Sequence, residues 1–495
     1  AWAVFYHLPS GPAQEEPLNV ISFPTVARHL APLLNENEAA IEKKLREAHN
    51  KHLSSIRLSD HLSAEQAESV RRAAIPGVIV VPQNCRYLRN GFAVHLLGYA
   101  NLAENLGQSG IEKEYNDVLQ GHGKVSYLIS YLDARGRAIK GLGSKIRQSP
   151  EQPAAVVLTI DRHIQEEVEK AMDHGVSRGA AVVIDVRSRE ILAVASRPAF
   201  DPYQVEKYID KKEDSNLINR ALYAYNPGSV FKIVIASAAL EENLVKLDEH
   251  FLCEGKYVFN DQVTMKCWKE EGHGDLSFTQ AFANSCNPTF IKVGLRLGRN
   301  RLLQYVEKMH VADETVIGLK EPKGYSYVKI DGGEPAMGNA CLGQEGVMLT
   351  PVQIASLVAT IADDGRWSPP VIVRYTLDEK GEKHDVVRPP KEQVLQPRTA
   401  REVQGLMEAV ISSGTGKTAA LTEVKVAGKT ATSQTGRIMA DGTEVLNTWF
   451  VGYFPAENPK WAVVVLAEQG KSGAESSAPI FREIARGILK YHSAH

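Results

Sequence analysis

Between residues 21 and 74 apolar side chains recur at helical spacing: Val26, Leu30, Leu33 and Leu34, then Ile41 and Leu45, then Val70 behind a Ser63–Gln66 capping box. Dense charge fills the positions between them, so this stretch reads as amphipathic helices. Ile75-Pro76-Gly77 ends the last one, and the β-branched run Val78–Pro82 predicts a strand. Strand-like and turn-like pieces follow to about residue 140. The stretch 141–153, with two glycines, two prolines and few apolar residues, predicts a domain boundary. Beyond it Val156–Thr159 predicts a strand, and Asp161 caps a helix that runs through Ile164, Val168 and Met172. Ala180–Asp185 and Glu190–Ala195 flank the polar turn Arg187-Ser188-Arg189 as in an antiparallel hairpin. Helical patterns dominate from Ser229 to about Arg366. Strands return over 424–432, 446–454 and 461–468, ahead of an amphipathic helix over 478–491. Strands at both ends with helices between predict an α+β fold whose sheet closes across a long helical insertion.

Composition narrows the function classes. At 495 residues with 43% apolar positions, the chain has material for about two to four domains and a packed interior. A formal charge of −2 gives no broad basic field, so neither nucleic acid nor a polybasic contact with a membrane is expected. Five cysteines (Cys85, Cys253, Cys267, Cys286, Cys341) lack the C-x-x-C pairing of a zinc site, and their odd number forbids full internal pairing; no structural metal is expected. In an oxidising compartment Cys253 and Cys267 can close a loop that stabilises by roughly 3 kcal/mol. The opening run Ala1–Tyr6 is far shorter than the roughly 20 residues that span a bilayer. Its Trp2, Phe5 and Tyr6 read either as the remnant of an interfacial aromatic edge beside a trimmed N-terminal anchor, or as a cloning boundary.

Candidate chemistry centres on Tyr225-Asn226-Pro227-Gly228-Ser229-Val230-Phe231-Lys232. Pro227 and Gly228 are helix-start signals, and Ser229 falls where free backbone N–H groups favour negative charge. Residues three apart share a helix face, so the Ser229 hydroxyl and the Lys232 amine are expected within hydrogen-bond reach. By itself the pair also fits an ordinary core helix. Two further motifs change that: Ser285-Cys286-Asn287 after a helical segment, and Lys429-Thr430-Ala431-Thr432 on a predicted strand.

In this order the three motifs resemble those of the penicillin-recognising acyl-serine transferases, the superfamily of penicillin-binding proteins and serine β-lactamases. The likeness extends to Arg86-Tyr87, His95–Tyr99, Ser109–Glu112 with Tyr115, Leu158–Asp161 with Gln165, and Thr350-Pro351 with Gln353, which look like signatures of class B penicillin-binding proteins. The resemblance covers roughly residue 21 to the C-terminus. It implies an elongated α+β pedestal over 1–150 and, over 151–495, a transpeptidase domain built on a central antiparallel sheet flanked by helices. It implies a peptidoglycan D,D-transpeptidase on the outer face of the cell membrane, acting on stem peptides that end in D-Ala-D-Ala and acylated by β-lactams. Other cell-wall synthesis proteins would bind through the pedestal; no cofactor, metal or nucleic acid is implied. A D,D-carboxypeptidase or β-lactamase-like hydrolase uses the same motifs, and a non-catalytic scaffold is a third reading.

The resemblance also assigns roles. Ser229 would be the nucleophile and Lys232 its base, with burial and the positive charge of Lys429 lowering the pKa of Lys232; Lys429 would also attract the terminal carboxylate of the substrate. Ser285 would relay the proton, and Asn287 would bond the acyl peptide and Lys232. Thr430 and Thr432 would complete a carboxylate pocket, and the N–H groups of Ser229 and Thr432 would form the oxyanion hole. Ala431 stands where the family usually has glycine, so its methyl is expected to crowd the pocket against bulky β-lactams. Three other features receive plainer readings. Gly414–Thr418 lacks the first glycine of a phosphate-binding loop, since residue 411 is isoleucine. His273, between Gly272 and Gly274, reads as a loop-holding histidine, and Cys286 as a buried, inert thiol. The residues around His273 and Cys286 point to an elongation or sporulation type rather than a division type.

Overall fold

The computed structural model describes residues 2–8, 22–53, 55–82, 86–88, 91–101, 104, 106–120, 127–131, 144–147, 154–209, 215–319, 326–439 and 442–493. Cys85 and most of the 141–153 boundary stretch lie outside them. The chain divides into two units, one made of Ala1–Leu88 and Gly121–Gln152, the other of Arg89–Gln120 and Pro153–His495. Where the sequence pattern placed a single boundary near residue 150, residues 89–120 pack with the larger unit. The reason is apolar: Leu96 and Ile111 join its core, and the Ala93 N–H donates to Glu169 at 2.8 Å.

In the smaller unit β1 (Trp2–His7) is the middle strand of an antiparallel sheet, between β2 (Ser55–Leu62) and β3 (Val78–Pro82). Helices α1 (Phe23–Leu34), α2 (Glu38–Asn50) and α3 (Ala64–Arg72) start at side-chain caps from Ser22, Asn37 and the Ser63–Gln66 box. Their stripes of Val26, Leu30, Ile41, Leu45 and Val70 share one core with Val4 and Tyr6. Two expectations are corrected here. Tyr6 is buried in the sheet rather than part of an interfacial edge, and β2 interrupts the helical stretch, because Ile56, Leu58 and Leu62 sit at two-residue multiples that the helical pattern masked.

The larger unit is built on the antiparallel sheet β5-β4-β8-β7-β6, formed by β4 (Gly179–Asp185), β5 (Ile191–Arg197), β6 (Ala427–Ile438), β7 (Glu444–Phe454) and β8 (Trp461–Glu468). Residues from the two ends of the domain thus meet where Val463 pairs with Val183, as the pattern predicts. The helix capped by Asp161, α4 (Arg162–Gly175), packs with the C-terminal helix, α10 (Ala478–Ser493). In β7, Phe450 packs at a tilt and Phe454 edge-on against Phe481 of α10, whereas the adjacent Trp449 meets Tyr225. Alternation along the strand therefore puts α10 on one face and the Tyr225–Lys232 segment on the other. The helix Pro351–Ala362, α8, is buried on all sides behind the sheet, and Thr350 and Gln353 form its capping box. Residues 250–277 depart from the helical expectation by forming short two-stranded hairpins.

Candidate active site

The chain entering the first motif is clamped from both sides. Tyr225 exchanges two 2.9 Å backbone hydrogen bonds with Leu349, and the Gly228 N–H donates to the Gly343 carbonyl at 2.9 Å. The Asn226 side-chain amide donates to the Gln344 and Val347 carbonyls at 2.8 Å, while Trp449 donates to the Asn226 carbonyl. The Tyr225 hydroxyl and the buried Arg220 both donate to Glu468 Oε1, at 2.8 and 2.7 Å. Burial pushes the Glu468 carboxyl up, but the Arg220 charge and these hydrogen bonds outweigh it and hold the group below the ordinary glutamate range. Gly228 adopts φ 55°, and a Cβ there would lie 3.1 Å from the Thr432 carbonyl, so glycine lets this turn approach the edge strand.

Gly228–Phe231 forms one 3-10 turn that continues into α5 (Lys232–Glu241). Ser229 is half-buried in that turn, whose first N–H groups have no intrahelical acceptor. Lys232 is fully buried, and its amine donates to the Ser285 carbonyl at 2.8 Å and Asn287 Oδ1 at 2.7 Å, with Ser285 Oγ at 3.3 Å. Among the described residues it makes no hydrogen bond to Ser229, so this amine is held by the second motif. Burial pulls its pKa down to about 8.

Ser285 takes the left-handed conformation, φ 54°, just after α6 (Phe278–Ala283). The Cys286 N–H reaches the Ala281 carbonyl and the Ser285 N–H the Phe282 carbonyl, the paired bonds of a Schellman cap. The cap turns the chain so that Ser285 and Asn287, at the start of α7 (Asn287–Leu297), both face Lys232. Asn287 is fixed in turn by donating to the Lys266 carbonyl at 3.0 Å.

β6 is the edge strand of the sheet, and its pleat divides the third motif. Lys429 and Ala431 pair across with Val451 and Trp449 and so face α5; Thr430 and Thr432 face the other way. Lys429 is fully buried, with the Thr430 carbonyl at 3.0 Å and the Phe282 ring centroid at 5.7 Å as its partners. Its pKa is pulled well down by burial, with repulsion from Lys232 adding to this. Burial is the largest cause for both amines, as expected for Lys232, and the repulsion between two such cations acts on each of them. The Thr430 hydroxyl pairs with Thr415 at 2.6 Å, and Thr432 Oγ1 accepts from the Gly473 N–H at 3.3 Å. The Ala431 methyl is buried, and a Cβ on Gly228 would sit 3.4 Å from it. The methyl thus lies between the strand and the Ser229 turn rather than in open space.

The three motifs therefore converge on one centre. Residues 179–486 match the penicillin-binding protein transpeptidase domain, and residues 10–158 match the penicillin-binding protein dimerisation domain. The chain is a class B penicillin-binding protein. It is similar to stage V sporulation protein D of Bacillus subtilis, at 30% identity over 94% of this chain and 72% of the relative. It is similar to the peptidoglycan D,D-transpeptidase FtsI of Escherichia coli K12, at 26% identity over 88% of this chain and 72% of the relative. Among solved structures, penicillin-binding protein 3 of Mycobacterium tuberculosis complexed with aztreonam matches with a TM-score of 0.67 and 26% identity, covering 84% of this chain and 91% of the other. Among the described residues of this penicillin-binding protein, no helix is long and apolar enough to cross a membrane.

Other candidates resolve differently. Gly414–Thr418 follows the C-terminus of α9 (Pro397–Ser412), the wrong end for phosphate, and contributes Thr415 as the partner of Thr430. Cys253 and Cys267 are free thiols, not a disulfide. The reading that excluded a structural metal loses its basis, because the fold gathers Cys253, Cys267, His273 and Cys286 although no C-x-x-C pair announces them. Sequence reasoning gave Thr415 no role and missed Glu468 and Arg220, which carry no local motif; a buried charge opposite a buried tyrosine is visible only once β8 lies beside the first motif.

Proposed function

We propose that this protein is a peptidoglycan D,D-transpeptidase in which Ser229 is the nucleophile, with the unit of residues 1–88 and 121–152 as a pedestal and the unit of residues 89–120 and 153–495 as the catalytic one. One observation carries the reading: a fully buried lysine amine, one turn from Ser229, is held by both polar residues of a second motif, while a second buried lysine approaches from an edge strand. Ser229 Oγ attacks the carbonyl joining the two terminal D-alanines, and its proton passes to neutral Lys232. The oxyanion is met by the N–H groups of Ser229 and Thr432, each such donor contributing about a hundredfold or more. The peptide C–N bond breaks, and the proton returns through Ser285 Oγ to the departing D-alanine amine. The amine of a second stem peptide then attacks the ester, forms the cross-link and releases Ser229. Asn287 bonds the acyl peptide and Lys429 attracts the terminal carboxylate, while Thr430, tied to Thr415, and Thr432, tied to Gly473, hold the edge strand in place beside it. β-Lactams enter as substrate mimics whose acyl-enzyme persists.

The setting proposed is the outer face of the cell membrane, with the pedestal receiving other wall-synthesis proteins. The relatives named D,D-transpeptidases, and the antibiotic-bound neighbour, support this reading. Incubating the protein with a D-Ala-D-Ala stem peptide and an acceptor amine should release D-alanine and give a cross-linked product, both abolished by Ser229→Ala. Release of D-alanine with no cross-linked product at saturating acceptor would reject transpeptidation.

A further inference from the structure

Acyl transfer leaves one buried cluster unused. Cys253 ends the strand His250–Cys253, Cys267 follows the strand Thr264–Lys266, His273 precedes the strand Gly274–Ser277, and Cys286 lies between Ser285 and Asn287. Three sulfurs and one imidazole nitrogen all lie within 4.8 Å of one another. His273 Nδ1 stands 3.5 Å from both Cys253 Sγ and Cys267 Sγ. Zn–S bonds of about 2.3 Å and Zn–N bonds of about 2.0 Å at tetrahedral angles place S and N about 3.5 Å apart, so these separations are edges of such a tetrahedron. All three cysteines are buried, and none of them is in a disulfide. Gly255 and Gly272 take φ 82°, and a Cβ on Gly272 would run into the Cys253 carbonyl, so the two loops are folded onto each other as closely as glycine allows.

We propose that Cys253, Cys267, His273 and Cys286 bind one zinc ion in a closed, structural site. Three thiolates and an imidazole suit a borderline-soft ion, and four protein ligands leave no open position for chemistry. The site's use is positional. Cys286 separates the two residues whose oxygens hold the Lys232 amine, and the ligand-bearing loop is already tied to that motif. Asn287 donates to the Lys266 carbonyl at 3.0 Å, and Trp268 donates to the Asn284 carbonyl at 2.8 Å. Zinc therefore fixes the second motif against the hairpins and keeps thiols beside the acylation centre from oxidising. The metal assignment stands on this geometry alone; the catalytic consequence rests on the reading of Ser229 as the acylated residue.

The test measures metal in the full chain purified without chelator. Elemental analysis should find about one zinc per chain. That zinc should be lost in Cys253→Ser and in His273→Ala, and kept in Cys85→Ser. Replacing zinc with cobalt(II) in the unsubstituted protein should give the intense visible bands of a tetrahedral thiolate site, which keeps the proposal testable if a variant fails to fold. Zinc-free protein, a Cys253–Cys267 disulfide, octahedral cobalt spectra, or zinc that survives both ligand substitutions would each overturn the assignment. Zinc bound with no penicillin adduct on Ser229 would reject the function and spare the metal; an adduct with no zinc would do the reverse.

Discussion

Replacing Ser285 by glycine and, separately, by alanine divides the demand of the backbone from the chemistry of the hydroxyl. Ser285 holds φ 54° at the position of a Schellman cap that glycine usually fills. A side chain in that conformation costs about 1–2 kcal/mol, and glycine loses about 0.5–1 kcal/mol through the greater freedom of its unfolded chain. Both variants lose the same 3.3 Å contact with Lys232, while the Ser285 carbonyl and Asn287 keep the amine bonded. The glycine variant should therefore be more stable than the alanine variant by about 1 kcal/mol, seen as a thermal midpoint higher by about 2 °C or less for a domain of this size. Both should acylate with fluorescent penicillin about a hundredfold or more slowly, because both lack the proton relay. Equal stability of the two variants would refute the strain argument. Near-normal acylation in either would refute the role of the hydroxyl.

Glu468→Gln leaves the buried Arg220 guanidinium without its counter-charge and should destabilise the protein by about 3–5 kcal/mol, read by thermal unfolding; a loss below about 1 kcal/mol would contradict the clamp on Tyr225. Ala431→Gly removes a methyl packed against the Ser229 turn, so it should cost about 1–2 kcal/mol and change acylation by the same factor for slim and bulky β-lactams. A gain confined to bulky β-lactams would favour the crowded pocket expected from the sequence. With the Lys232 pKa at about 8, the neutral base rises with pH, and the rate of acylation should climb about 50-fold between pH 6 and 8 before levelling. A flat profile over that range would exclude Lys232 as the base.

Much of this centre was readable in the chain because its chemistry is local. Ser229 and Lys232 lie on one turn, Ser285 and Asn287 flank one cap, and Lys429 lies on a strand whose β-branched and apolar neighbours announce it. What stayed hidden depends on contacts between distant segments. The facing of Ala431 follows from its register with Trp449, which no motif encodes. The strand Ser55–Leu62 was lost inside a helical periodicity, since its few apolar residues fit both spacings over so short a run. The four metal-ligating candidates come from three hairpin ends and one helix start, so their spacing in sequence resembles no familiar pattern.

The most direct measurement of the central claim is mass spectrometry of the protein after exposure to a penicillin, with the modified residue mapped by proteolysis. A single penicilloyl ester on Ser229, persisting for hours and absent from Ser229→Ala, is the predicted result. An unmodified protein, or an adduct on any other residue, would contradict the account.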